Sequence, residues 1–307
     1  MSSTATAKPS RQSTARIWLM AARPRTLPAA VAPVLVGTAL AIDDGKFNPF
    51  AFLAALAGAI LIQVGTNLSN DYSDARRGAD TEERIGPVRV TAGGLVPPRQ
   101  VLAAIYITFG LAVLCGVYLV VVAGPLLLAV GSASILAGVL YTGGPRPYGY
   151  EGLGEVFVFL FFGIVAVAGS YYVQVKSLPW QTFVLAVPVG LLAAAILLVN
   201  NIRDLETDRR AGKKTLAVRF GRRRARALYA TAVWSSFLLA QICWWAGSLS
   251  PWLLLVLLVA PPAVPLVRTV RTRTDGPALN AALARTGMLQ LAFCVLLAAG
   301  VLLSGSR

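Results

Sequence analysis

The chain alternates long apolar stretches with short polar ones, and the apolar stretches have the length of membrane-spanning helices. Runs of about 17 to 25 mostly apolar residues fall at roughly 26–42, 50–70, 101–122, 125–142, 154–173, 180–201, 227–247, 251–268 and 281–303. The pattern predicts an all-α, multi-pass helical bundle of about nine spans. Only Ala123, Gly124 and Pro125 part the third run from the fourth, which reads as a tight turn between antiparallel helices. Pro188, Pro261, Pro262 and Pro265 sit inside spans, where neighbouring helices accommodate kinks. Residues 1–16, rich in Ser, Thr and Ala with Lys8, Arg11 and Arg16 scattered among them, read as a disordered cytoplasmic tail. Residues 17–307 then form a single integral-membrane domain. Arg23, Pro24 and Arg25 interrupt the first apolar run, which leads on into a longer span and argues against a cleaved signal peptide.

Composition agrees. The chain is 56% hydrophobic and only 13% charged, too apolar for an ordinary soluble domain. A net charge of +15 would also fit a nucleic-acid partner, but basic residues flanking apolar spans are topology and lipid-surface signals, so a membrane and no nucleic acid is expected. With the N-terminus inside, all of the 28 Lys and Arg except Lys46, Lys176 and Arg307 lie on the inner side, which orients the C-terminus outward. Arg222, Arg223 and Arg224 read as a headgroup anchor rather than as ligands. There is no histidine, so neither a His base nor a His metal ligand exists. Cys115, Cys243 and Cys294 lie inside apolar runs without close pairing, which implies core residues and no disulfide framework or zinc site.

Two acidic stretches carry the chemistry: NLSNDYSDARRGAD at 67–80 and NNIRDLETD at 200–208. Each closes an apolar run. Asp71 and Asp74 are i,i+3 apart and Asp204 and Asp208 are i,i+4, so each pair can share one helix face. Like charges on one face repel unless a cation lies between them, and hard oxygen ligands at helix ends suit Mg²⁺ carrying a phosphate. Solvated helix ends would account for one such stretch, but not for two that also gather Asn67, Asn70, Asn200 and Asn201 at the membrane. An even number of crossings separates the two stretches, so both emerge on the cytoplasmic face and can meet across a shared cavity. Arg76, Arg77, Arg84, Arg89, Arg203, Arg209, Lys213 and Lys214 surround the carboxylates, a mixture that fits a metal-bridged diphosphate. A polar head beside an apolar cavity makes polyprenyl diphosphate the natural substrate.

NDYSD at 70–74 and RDLETDRRAGKKT at 203–215 resemble the two aspartate-rich motifs of the UbiA superfamily of intramembrane prenyltransferases. NLSNDYSD, GPVRVTAGG at 86–94, YTGGPRPYGYEGLGE at 141–155 and TLAVRFG at 215–221 are most similar to its 1,4-dihydroxy-2-naphthoate polyprenyltransferases of menaquinone synthesis. The similarity runs from about Arg23 to beyond Gly221. The resemblance implies a helical bundle around a central cavity open to the cytoplasm, in the plasma membrane of a prokaryote, using Mg²⁺ to transfer a polyprenyl group to an aromatic acid that loses its carboxylate. It implies that Asn70, Asp71, Asp74, Asp204 and Asp208 bind metal and diphosphate, supported by Asn67 and Asn201. Arg76, Arg77, Arg84, Arg89, Arg203, Lys213 and Lys214 would neutralise the diphosphate. Where the superfamily's first motif often carries a third Asp this chain has Gly78, and Asp80, two residues on, is expected to support the site with Asn67 and Asn201.

The aromatic acceptor needs a cation for its carboxylate and flat walls for its rings. Arg23, Arg25, Arg146, Tyr141, Tyr148 and Tyr150 are the candidates, although the tyrosines also fit an interfacial aromatic belt. Glu155 opens the fifth span, as a proton acceptor or as a carboxylate satisfied by the helix dipole. Two other readings stay open: the same chemistry on another aromatic acceptor, and a cation-coupled transporter, since Asp and Asn on broken helices also bind coupling ions.

Overall fold

The computed structural model describes residues 13–79, 86 and 88–305. Among them every regular element is a helix. Helix α1 (Thr14–Ala22) and helix α2 (Pro28–Asp43) are joined by the single turn Pro24–Thr26 and bent by 51°. Arg23, at φ 53°, turns the chain out of α1, and Pro24 and Pro28 prevent the two arms from fusing. The expected first span is thus the second arm of a broken pair, and helix already begins inside the expected tail.

The long helices follow: α3 (Pro49–Arg76), α4 (Pro98–Ala123), α5 (Leu126–Leu140), α6 (Gly154–Val175) and α7 (Trp180–Arg203). After the short α8 (Leu205–Arg210) come α9 (Leu216–Trp245), α10 (Pro251–Thr272) and α11 (Gly276–Leu302). Their starts are written in the sequence. Asn48 accepts hydrogen bonds from the Phe50 and Ala51 amides just before Pro49, and Asp275 accepts one from the Ala278 amide just before Gly276 and Pro277. Seven described helices are long and apolar enough to cross a membrane, and the α1–α2 pair is an eighth when its arms count as one. The expected nine is reached only by adding α5, which has 15 residues. Two boundaries move. Helix α3 continues past 70 to Arg76, carrying the first motif as its last turns. Helix α9 starts at 216 and not 227, because the basic run at 222–226 hides its first turns from a hydropathy reading, and Gly221 at φ 78° kinks it there.

Helix α7 is the centre of the bundle, buried along most of its apolar length against α2, α6, α9 and α11. A Cβ on Gly163 of α6 would lie 2.6 Å from the Gly190 Cα of α7, so these glycines let the two backbones touch where α6 widens into the π-turn Leu160–Val165. A smaller cluster of Leu68, Val90, Val96, Val101, Ile105 and Phe109 pins the loop after α3 against α3 and α4. Lys46 and Lys176 lie at the bundle end opposite the acidic motifs, where the Asn48 amide donates to Gln174.

Candidate active site

Residues 63, 67, 70 and 74 recur at helical spacing and give α3 a polar stripe toward the bundle interior. Asn67 donates to the Ala22 carbonyl at 3.0 Å and to Thr26 Oγ1 at 3.1 Å, which ties α3 to the bend between α1 and α2. Asn70 Oδ1 accepts from the Thr142 hydroxyl at 2.9 Å. Asp74 is 1% exposed and its carboxylate accepts from Tyr150 Oη at 2.7 Å, Arg89 at 3.1 Å and Lys213 Nζ at 3.4 Å.

Asp71 does something else. Its two oxygens accept the backbone amides of Val90 at 3.0 Å and Thr91 at 2.9 Å, and it does not line the cavity that Asn70 and Asp74 line. One residue round the helix from Asn70, it faces the 88–96 loop and sets that loop's backbone so that Arg89 reaches Asp74.

In the second motif α7 ends at Arg203, and Asp204 breaks the helix before α8 begins. The break falls before the pair and not within it: the Asp208 amide donates to the Asp204 carbonyl at 2.8 Å, so the two carboxylates lie one turn apart at the start of α8, and both border the cavity. Arg203 forks onto Asp204 at 2.7 and 2.5 Å and also donates to Asn200 and Asn280. Its guanidinium is spent on protein oxygens and does not line the cavity. The loop beyond α8 is fixed by the Lys213 amide on the Asp208 carbonyl and by the Lys214 amide on the Tyr150 carbonyl. It delivers the Lys213 ammonium 4.6 Å from the centre of the Tyr150 ring and within reach of Asp74.

The two motifs therefore converge at one end of the bundle. Asp74, Asp204, Asp208, Asn70, Asn200 and Lys213 border a single cavity of about 450 Å³, which continues between apolar walls of α3, α4, α5 and α6. The model of the UbiA prenyltransferase family matches residues 30–297. The chain belongs to that family. Two similar proteins are both 1,4-dihydroxy-2-naphthoate octaprenyltransferases. That of Mycobacterium tuberculosis is 42% identical, covering 92% of this chain and 95% of its own. That of Escherichia coli is 41% identical, covering 94% and 95%. A solved UbiA homologue of Archaeoglobus fulgidus bound to DMAPP and Mg²⁺ shares the fold, with a TM-score of 0.65 over 92% of this chain and 99% of its own at 14% identity.

Within this UbiA fold the remaining candidates divide. Arg23, Tyr141, Tyr148, Tyr150, Arg89 and Asn201 line the cavity. Arg25, Arg76, Arg77, Arg146 and Lys214 are exposed and do not line it; Arg76 donates to Tyr72 and Arg77 to the Gly144 carbonyl. Arg84 and Asp80 lie outside the described residues. Glu155 is buried behind the wall, where its Oε1 accepts from Asn201 at 2.8 Å. Tyr148 donates to the Ala137 carbonyl and stacks on Phe157 at 4.0 Å, and burial pushes its phenol above the ordinary 10.0, so it stays neutral. Sequence reasoning missed Thr26, Gln63, Thr142 and Asn280, the partners of motif side chains. Of these only Thr142 carried a signal, inside the YTGGP stretch.

The donor set fits Mg²⁺. It is all oxygen, with no His in the chain, and among the described residues no three carboxylates gather closely enough to hold a metal by themselves. Mg²⁺ characteristically takes one or two carboxylates and completes its shell with substrate phosphate and water, which two motifs with one or two facing carboxylates each can supply.

Proposed function

We propose that the chain transfers a polyprenyl group from polyprenyl diphosphate to 1,4-dihydroxy-2-naphthoate, with loss of the acceptor's carboxylate, the step that forms demethylmenaquinol. The observation that carries this is the convergence of two acidic motifs on the head of a cavity with an apolar tail. It is supported by two octaprenyltransferase relatives that match nearly full length.

Asp74, Asp204, Asp208 and Asn70 would hold Mg²⁺, which when bound neutralises the charge that develops on the departing diphosphate. Lys213 and Arg89 lie beside Asp74 to take diphosphate oxygens once the donor enters. The Tyr150 ring, held by its own bond to Asp74, gives the allylic cation an aromatic face. Arg23, on the cavity wall beside the α1–α2 bend, is the cation for the acceptor carboxylate. As the carbon–oxygen bond breaks, the acceptor ring carbon bonds the allylic carbon. Carbon dioxide leaves that ring carbon and restores aromaticity, with the electron pair retained by the ring. Asp71 acts through the loop it anchors.

On this reading residues 17–307 work as one membrane domain, the motif end faces the cytoplasm of a prokaryotic plasma membrane, and Lys46 and Lys176 mark the outer side. Purified protein given octaprenyl diphosphate, Mg²⁺ and 1,4-dihydroxy-2-naphthoate should yield a prenylated product lighter than the simple adduct by carbon dioxide. EDTA should cut the rate by at least about a hundredfold. Product from 4-hydroxybenzoate alone would move the chain to another acceptor. Ion uptake in vesicles without diphosphate release would make it a transporter.

A further inference from the structure

Two turns of α3 away from Asn70, on the side remote from the carboxylates, stands Gln63. It lines the cavity and is 8% exposed. Its amide nitrogen donates to Thr26 Oγ1 at 3.0 Å and to Asn67 Oδ1 at 3.4 Å, whereas its Oε1 is buried with no hydrogen-bond partner. A buried amide oxygen without a donor is costly, and folded proteins keep few of them. Gln181, Gln241 and Gln290 also keep one, but none of those three lines this cavity.

The bonds around Gln63 dictate which way its amide points. Two backbone carbonyls at the α1–α2 bend can only accept. Ala22 takes the Asn67 amide nitrogen at 3.0 Å, and Arg23 takes the Thr26 hydroxyl at 3.0 Å. Asn67 therefore turns its oxygen toward Gln63, and Thr26, its one hydrogen spent, offers lone pairs alone. Both neighbours call for the Gln63 nitrogen, and a flipped amide would set oxygen against oxygen twice. What remains is an acceptor, fixed in direction and waiting for a donor.

Among the groups of a polyprenyl diphosphate and a dihydroxynaphthoate, few can answer it. A metal-bound diphosphate and a carboxylate have no hydrogen to give, and a prenyl tail has no polar one. The two hydroxyls do. Arg23, whose carbonyl anchors Thr26, is also the cation for the acceptor carboxylate, so the hydroxyl ortho to that carboxylate comes beside Gln63. We infer, on the prenyl-transfer reading above, that Gln63 Oε1 accepts the hydrogen bond of the acceptor's C1 hydroxyl and so selects rings that carry one. The same contact serves the reaction. As the carboxylate-bearing ring carbon bonds the allylic carbon and the diphosphate departs, positive charge falls on the C1 hydroxyl oxygen, and its hydrogen becomes a stronger donor to the amide. Departure of carbon dioxide returns an electron pair to the ring, so the hydroxyl keeps its hydrogen and no base is needed.

Gln63→Leu and Gln63→Met both remove the amide oxygen, the second at nearly the same length. Dissociation constants are measured on wild type and both variants for 1,4-dihydroxy-2-naphthoate, 1-hydroxy-2-naphthoate and 4-hydroxy-2-naphthoate, and for a polyprenyl diphosphate with Mg²⁺. The variants should bind the two naphthoates that carry a C1 hydroxyl at least about fivefold more weakly, the cost of stranding a buried donor. They should bind 4-hydroxy-2-naphthoate and the diphosphate as wild type does. Equal weakening on all three naphthoates, no weakening on any, or weakening confined to the two with a C4 hydroxyl overturns the assignment. Loss of diphosphate binding in both variants overturns it too, leaving Gln63 a structural residue. A wild type that binds the diphosphate but none of the naphthoates overturns instead the choice of acceptor.

Discussion

Asp74→Asn should lower kcat by about a thousandfold while the protein stays folded. Its carboxylate lies 1% exposed among Arg89, Lys213 and Tyr150, all of which it accepts bonds from. An amide keeps the shape and one acceptor oxygen but removes the negative charge that a metal–diphosphate head requires. The expected cost is about 4 kcal/mol of transition-state stabilisation, the scale seen when a preorganised charge-stabilising group is lost. Asp74→Ala is the poorer probe, because it leaves two buried cations facing one another, and breaking a buried pair costs about 3–5 kcal/mol of stability. Thermal unfolding in detergent should therefore be near wild type for the Asn variant and lowered for the Ala variant, with turnover lost in both. An Asp74→Asn protein that keeps more than about a tenth of its turnover would remove this residue from the diphosphate site.

Asp71→Ala should behave differently, although the two carboxylates are only three residues apart. Both Asp71 oxygens hold backbone amides of the loop that carries Arg89. Without them the loop loses its anchor to α3, and Arg89 loses its aim at Asp74. A supporting group of this kind is worth about 10–100-fold in activity, so the loss should be smaller than for Asp74→Asn. It should be accompanied by faster hydrogen exchange in residues 88–96. Were Asp71 a direct metal ligand, its loss would match that of Asp74 and leave the exchange of the loop unchanged.

These two residues show what the sequence could and could not say. Spacing placed Asp71 and Asp74 on one side of α3, but an i,i+3 pair spans a sixth of a turn of the helix surface, enough for one carboxylate to face the cavity and the other a loop. Only the partners of each side chain distinguish them, and those partners are between 15 and 139 residues away. The basic residues were still less legible. Arg203 looked like a diphosphate ligand and instead grips Asp204, whereas Lys213, in a loop with no regular structure, is delivered to Asp74 by backbone bonds to Asp208 and Tyr150. By contrast the helices were plain, because about 20 apolar residues have few other fates. The exceptions were places where local chemistry overrides hydropathy: the proline-bounded bend after Arg23, and the basic start of α9. The convergence of the motifs at one end followed from counting crossings, and Lys213 within 3.4 Å of Asp74 joins them physically.

The central claim is that the two motifs hold one diphosphate between them, and a double-mutant cycle on donor binding tests it most directly. Affinity for a polyprenyl diphosphate with Mg²⁺ is measured for wild type, Asp74→Asn, Asp208→Asn and the double variant. If both residues serve one head group, the double variant loses less than the sum of the single losses, with a coupling of at least about 1 kcal/mol. Losses that add to within about 0.5 kcal/mol would mean that Asp74 and Asp208 act on separate ligands, and the shared site would be wrong.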